Sequence, residues 1–307
     1  MKDVGQQSTE ISGLKHAIPY VRLFKGRTFV VKLGGESLAE ENVLLPFLEQ
    51  VEVLGQLGIH VVVVHGGGPQ TTALAARLGL ETRMVDGRRV TDAATLEASV
   101  MALAGQANTR VLSIARRAGL AAVGLTGIDG GLLTARRRPP VTAANGDRVD
   151  YGHVGDLESV DVKLLARLAE SGFVPVVASL AAAADGAPLN VNADTVAAAL
   201  AVALGAEKLI LATSAPGILE RVEDPRSVVS FIDLAGLEEL TERGALSGGM
   251  LPKAAAIRRA LEGGVARVHV IPAGASDALL AEVFTNEGIG TMVVSDAAAA
   301  KEAAATP

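Results

Sequence analysis

The 307-residue chain is 49% hydrophobic and 20% charged, with 28 Lys and Arg against 34 Asp and Glu, a formal net charge of −6. This acidic balance, with no basic run beyond Arg136-Arg137-Arg138, argues against a nucleic-acid or anionic-membrane surface. The absence of Cys excludes disulfides, thiolate chemistry and Cys-ligated metal, and aromatics at 3% leave no base-stacking platform.

Asp3, Glu10, Lys15 and His16 interrupt any apolar core of a secretory signal. The longest stretch free of charged residues and His, Ser171 to Ala184, is too short to span a membrane and contains Gly172 and Pro175. The expectation is a soluble, cytoplasmic protein. Within residues 1–26, Ile11, Leu14, Ile18 and Val21 fall on one helical face, and Pro19 predicts a kink. Such a face needs a cover, either a partner subunit or the chain's own domain.

Thr28 to Leu33 is a β-branched run ending at Gly34-Gly35 and reads as a buried strand. Helical spacing over Val43 to Leu57 leads to a second strand, Ile59 to Val64, followed by His65-Gly66-Gly67-Gly68. Helix and strand then alternate: Leu96 to Ala118 and Ala121 to Leu125, Val162 to Glu170 and Phe173 to Val177. The rhythm continues with Thr195 to Leu204 and Lys208 to Leu211, then Lys253 to Leu261 and Arg267 to Ile271. Continuously apolar strands between helices predict an α/β fold, with an open, mostly parallel central sheet and helices on both faces. Thr126 to Asp156 reads as surface hairpins and loops, a candidate lid. The turn-rich Ala181 to Pro188 marks a lobe boundary, giving lobes at 27–185 and 186–294 before a fraying tail at 295–307.

Open parallel sheets bind ligands at the carboxyl ends of their strands. Two glycine clusters stand there, Gly34-Gly35 and Gly66-Gly67-Gly68. Glycines could serve tight turns alone, but two clusters after successive strands suit an anion. No GxxxxGK[ST], GxGxxG or GxSxG motif is present, so a P-loop, a dinucleotide fingerprint and a hydrolase elbow are missing. Lys32 sits inside an apolar strand, where burying its charge is costly. Lys253 begins a helix, the end that repels a cation, and a nearby polyanion would offset that penalty. In Asn190-Val191-Asn192-Ala193-Asp194-Thr195, capping of the following helix explains one polar residue of the cluster. Thr91 and Asp92 can cap the next helix, whereas Arg88 or Arg89 is free to grip a carboxylate. The five His show no metal-ligand spacing, so no protein metal site is assigned. Two lysines, glycine cradles and an Asp without a nucleophile suggest phosphoryl transfer, with Mg²⁺ held largely by nucleotide phosphates.

The segments FVVKLGG (29–35), VVVHGGGPQ (62–70), DGRRVTD (86–92), AVGLTGIDGGLL (122–133), LNVNADTVAAALA (189–201), AEKLILATSAPGIL (206–219), SGGMLPK (247–253) and FTNEGIGTM (284–292) resemble the amino acid kinase family, in family order. The likeness is strongest to members that phosphorylate N-acetyl-L-glutamate with ATP and Mg²⁺ in arginine biosynthesis. It implies that Lys32, Lys253, Asp194 and Gly35 are catalytic, and that Gly67, Gly68, Arg89 and Asn190 bind the acceptor. It places the nucleotide against Ser214, Gly217, Ile218, Leu219, Ala245 and Ser247. Ser214 stands where family members usually carry Asp. The N-terminal helix resembles that of hexameric, arginine-inhibited members, implying a homo-oligomer, a hexamer built as a trimer of dimers. An L-arginine site would then involve Tyr20, His269, Glu282 and Gly288, although VIPAGAS departs from the usual Asp-Gly-Arg after His269. Two other readings compete: a kinase of carrier-linked aminoadipate or glutamate, and a non-catalytic arginine-sensing domain. The first should alter Arg89 or Asn190, and the second should lose Lys32, Lys253 or Asp194.

Overall fold

The computed structural model describes residues 15, 17–143, 146–246, 248–285 and 288–299. Residues 17–24 are helical, and the chain then runs in order through β1 (Thr28–Leu33), α1 (Gly35–Ala39), α2 (Glu41–Gln56), β2 (His60–His65), α3 (Gly68–Arg77), β3 (Met84–Val85) and β4 (Arg88–Arg89). Next come α4 (Ala93–Val100), a π-helical segment (Met101–Ala107), α5 (Asn108–Arg117), β5 (Ala122–Thr126), β6 (Leu133–Arg137), β7 (Val141–Thr142), β8 (Arg148–Val149) and β9 (Gly155–Val160). The remainder is α6 (Lys163–Glu170), β10 (Val174–Ala178), β11 (Leu180–Ala182), β12 (Pro188–Asn190), α7 (Ala193–Ala203), β13 (Lys208–Thr213), β14 (Phe231–Asp233), α8 (Leu234–Glu242), α9 (Met250–Glu262), β15 (Arg267–Pro272), α10 (Ala278–Phe284) and β16 (Thr291–Val294).

The main sheet has eight strands in the order β14-β16-β15-β13-β1-β2-β10-β5, and only the β15–β16 pair is antiparallel. Its central strands are mostly apolar because both faces are covered. Val30, Val62, Val64, Leu209 and Leu211 join the core beneath α7 and α9. Phe29, Val31, Leu33, Val61, Val63 and Ile210 feed the opposite core under α2 and α5. This two-residue alternation decides where Lys32 goes, since it shares a face with Val30 and so points toward α7.

The region from Thr126 to Asp156 holds a hairpin, as expected, and also strand that joins a second sheet. It supplies β6 and the start of β9 to a four-stranded sheet, β12-β11-β6-β9, and the hairpin β7–β8. The expected single helix over Leu96 to Ala118 is α4 and α5 joined through the π-helical Met101–Ala107, a wider turn that periodicity does not reveal. In the N-terminal helix, Phe24 is buried on the chain's own core, where its ring meets Phe29 edge-on at 5.3 Å, while Ile18 and Leu23 are exposed. Ile11 and Leu14 lie outside the described residues, as does most of the tail. Among the described residues, no helix is long and apolar enough to cross a membrane.

Candidate active site

A cavity of about 580 Å³ opens at the carboxyl ends of β1, β2, β10 and β13, and Asn190 of the small sheet, with Arg138 and Val154 flanking β6 and β9, completes its lining. Strand order places it beside β1, whose neighbours β2 and β13 run to opposite sides of the sheet.

Lys32 reaches this cavity from β1, Asp194 from the first turn of α7 and Lys253 from the first turn of α9. Asp194 Oδ1 lies 2.9 Å from Lys32 Nζ and 3.1 Å from Lys253 Nζ. All three side chains are buried. Burial alone would raise the Asp194 pKa, but the charges of Lys32 and then Lys253 hold it below the usual carboxylate value. Lys253 is lowered by burial and by Lys32, against the pull of Asp194. One carboxylate thus faces two ammonium groups, and a positive charge remains for an anionic ligand. Asp194 is not the helix cap, because Asn192 fills that position by accepting from Thr195 N–H at 3.0 Å.

The two glycine loops meet beside these lysines. A Cβ on Gly35 would lie 2.7 Å from Pro69 and 3.2 Å from Gly67 Cα, and one on Gly67 would lie 2.6 Å from Leu103. Only glycine allows this approach. Gln70 ties the loops together, its Nε2 donating to Gly35 O at 2.7 Å. Gly68 begins α3, and Gly67 and Gly68 line the cavity at this helix N-terminus.

Arg89 leans over the second loop, donating to Gly68 O at 3.1 Å, Thr72 Oγ1 at 2.7 Å and Thr82 Oγ1 at 3.1 Å. Partial burial lowers its pKa below the ordinary guanidinium value. Asn190 lines the same cavity, with Nδ2 at 3.4 Å from Thr91 Oγ1. Ser214, Gly217, Leu219 and Ala245 line the far side. Ile218 does not; its side chain is fully buried, and its N–H donates to Thr291 Oγ1 at 2.8 Å. Ser247 lies outside the described residues.

Tyr20, His269, Glu282 and Gly288 come together around a second cavity of about 390 Å³. The sequence reading missed Lys208 there. Its Nζ sits 2.8 Å from His269 Nε2, and His269 Nδ1 sits 2.7 Å from Glu282 Oε1. Burial pushes His269 down to about 4 and Lys208 down to about 8. Also unassigned from sequence were His65 and Asn108 behind the glycine loop, where burial pushes His65 down to about 4. A polar residue closing the four-valine run of β2 is the available signal for His65.

A mostly parallel sheet with helices on both faces, carrying paired lysines and two closely packed glycine loops at its carboxyl edge, defines an α/β protein of the open-sheet class. The profile of the Amino acid kinase family matches residues 27–272, and the chain belongs to that family. The acetylglutamate kinase of Myxococcus xanthus is 50% identical over 288 residues, covering 92% of this chain and 94% of that protein. Among solved structures, N-acetylglutamate synthase from Neisseria gonorrhoeae complexed with coenzyme A and N-acetyl-glutamate is similar, with a TM-score of 0.80 at 28% identity over 93% of this chain. The same synthase complexed with coenzyme A and L-arginine gives a TM-score of 0.78 at 28% identity over 93% of this chain. The chain spans 63% and 65% of those two synthase chains.

Proposed function

We propose that this protein transfers the γ-phosphoryl group of ATP to the side-chain carboxylate of N-acetyl-L-glutamate, giving N-acetyl-L-glutamyl 5-phosphate and ADP in the cytoplasm, the second step of arginine biosynthesis. The observation that carries this reading is the buried Lys32–Asp194–Lys253 cluster facing the two glycine loops. An acceptor carboxylate oxygen forms the new bond to phosphorus as the bond to the ADP oxygen breaks. The carboxylate is ionised near neutral pH, so no general base is required. Lys32 and Lys253 neutralise the transferring group from two sides, and Asp194 keeps both ammonium groups aimed at it. Amides at Gly35, Gly67 and Gly68 cradle the phosphoryl group and the acceptor. Arg89 holds the α-carboxylate and Asn190 the acetamido end.

Ser214, Gly217, Leu219 and Ala245 form the nucleotide side, so residues 27–185 supply most of the acceptor side and 186–294 the nucleotide side. Among the described residues, no group of three or more His, Asp or Glu could hold a metal ion. This donor set fits Mg²⁺ carried on the nucleotide phosphates, where it would neutralise charge. Arg89 and Asn190 are both retained, which disfavours a carrier-linked acceptor, and the intact lysine pair disfavours a non-catalytic sensor. A coupled assay offering N-acetyl-L-glutamate, glutamate and aspartate side by side tests the reading. ADP release should depend on the acetylated acid, and equal turnover of aspartate would overturn it.

The second cavity suits L-arginine as an inhibitor. Glu282 would meet the guanidinium and Lys208 the carboxylate, beside a helix that also carries the exposed Ile18 and Leu23. That helix would join dimers into a hexamer. Removal of residues 1–25 should leave active dimers by light scattering that no longer respond to arginine. A full-length dimer indifferent to millimolar arginine would contradict both points.

A further inference from the structure

Behind the second glycine loop, two buried polar side chains take no part in the reaction proposed above. His65 Nδ1 lies 2.8 Å from Gly66 O, and His65 Nε2 lies 3.0 Å from Asn108 Nδ2. A carbonyl only accepts, so the neutral ring carries its proton on Nδ1, and Nε2 accepts from Asn108. Asn108 Nδ2 also faces Val176 O at 3.1 Å and Leu125 O at 3.3 Å. Two neighbouring elements accommodate this asparagine. The π-helical segment ends immediately before it. On β5, a Cβ at Gly124 would lie 2.1 Å from Asn108 Oδ1. Apolar residues could fill the same space without burying polar groups, so stability alone does not call for the pair.

The consequence reaches the cavity. Gly66 N–H donates to Leu33 O at 3.2 Å, and its carbonyl is held by His65. In a trans peptide, the Gly67 N–H points opposite to the Gly66 carbonyl. Gly67 lines the cavity, and its N–H has no hydrogen-bond partner among the described residues. We propose that His65, oriented by Asn108, is a positioning residue for phosphoryl transfer. Its Nδ1–H fixes the Gly66–Gly67 peptide so that the Gly67 N–H donates to an oxygen of the transferring phosphoryl group in the transition state. This rests on the reaction proposed above.

Two substitutions separate the ring's contacts. In His65→Asn, the side-chain amide can take the place of Nδ1 and keep the bond to Gly66 O. In His65→Gln, it reaches the place of Nε2, keeps Asn108 and loses Gly66. Full oxyanion-donor loss lowers kcat on the order of 100- to 1000-fold, so a misaimed donor in His65→Gln should lower it roughly 10- to 100-fold. The KM for ATP and calorimetric ADP affinity should stay within about threefold of wild type, and His65→Asn should keep kcat within about threefold. Asn108→Ala frees the ring to change tautomer and should lower kcat in the same direction, a second route if His65→Gln does not fold. Wild-type kcat in either His65→Gln or Asn108→Ala overturns the proposal, as do equal losses in the two His65 variants. A wild-type protein that releases no ADP with N-acetyl-L-glutamate overturns the reaction assignment and the proposal with it.

Discussion

Lys32 Nζ lies 2.9 Å from Asp194 Oδ1, and the same oxygen holds Lys253 at 3.1 Å. Neither ammonium is neutralised outright, and each sits where a developing anion would meet it. Lys32→Ala and Lys253→Ala should each lower kcat on the order of 100- to 1000-fold, about 3–4 kcal/mol, with much smaller changes in KM. Steady-state kinetics on folded variants checks this, and near-normal turnover in either would remove that lysine from the chemistry.

Arg89 makes its contacts on the second glycine loop and the helix that follows it, at Gly68 and Thr72. An interaction with the remote α-carboxylate is made equally in ground and transition states. Arg89→Ala should therefore raise the KM for N-acetyl-L-glutamate by about 10-fold or more with kcat little changed. An unchanged acceptor KM would relocate the clamp.

His65 and His269 are buried, and burial lowers each to about 4 from an ordinary 6.5. The unfolded chain binds their protons first as the pH falls. Stability from these groups is thus complete above 6.5 and declines as the pH drops toward 4. At pH 5 each histidine should cost about 2 kcal/mol relative to neutral pH. Thermal melting at pH 7.5 and pH 5 checks this, and an unchanged Tm would show that the rings charge freely in the fold.

Gln50 on α2 joins distant parts of the chain. Its Oε1 accepts from Leu279 N–H at 2.8 Å and Leu280 N–H at 3.3 Å, while its Nε2 donates to Pro46 O at 3.2 Å. Gln50→Leu strands two amides of α10 and should destabilise the fold by about 1–3 kcal/mol. Gln50→Glu keeps the acceptor and should recover part of that loss. Equal denaturant midpoints for Gln50→Leu and wild type would contradict the account.

The legibility of each feature follows from the range of the interaction that makes it. The strand runs at Thr28, Lys208 and Arg267 were readable because covering both faces of a parallel sheet requires unbroken apolar sequence. Lys32 and Lys253 stood out because each contradicts its local setting. The cap at Asn192 left Asp194 unexplained, and that residue joined the lysines. Asn108 gave no such signal. A polar residue in an amphipathic helix reads as surface, and only the π turn and the missing Cβ of Gly124 bring it inside. Lys208 was equally silent, since a lysine at a strand start ordinarily reaches solvent, whereas here it lies over the Phe24 ring, 5.2 Å from its centroid.

The most direct test traps the product. An acyl phosphate reacts with hydroxylamine to give a hydroxamate and inorganic phosphate. With ATP, Mg²⁺ and hydroxylamine, the protein should form hydroxamate from N-acetyl-L-glutamate in step with ADP, and Lys32→Ala and Lys253→Ala should each slow it on the order of 100- to 1000-fold. ADP release without hydroxamate, or hydroxamate from aspartate as readily as from N-acetyl-L-glutamate, would contradict phosphoryl transfer to this acceptor.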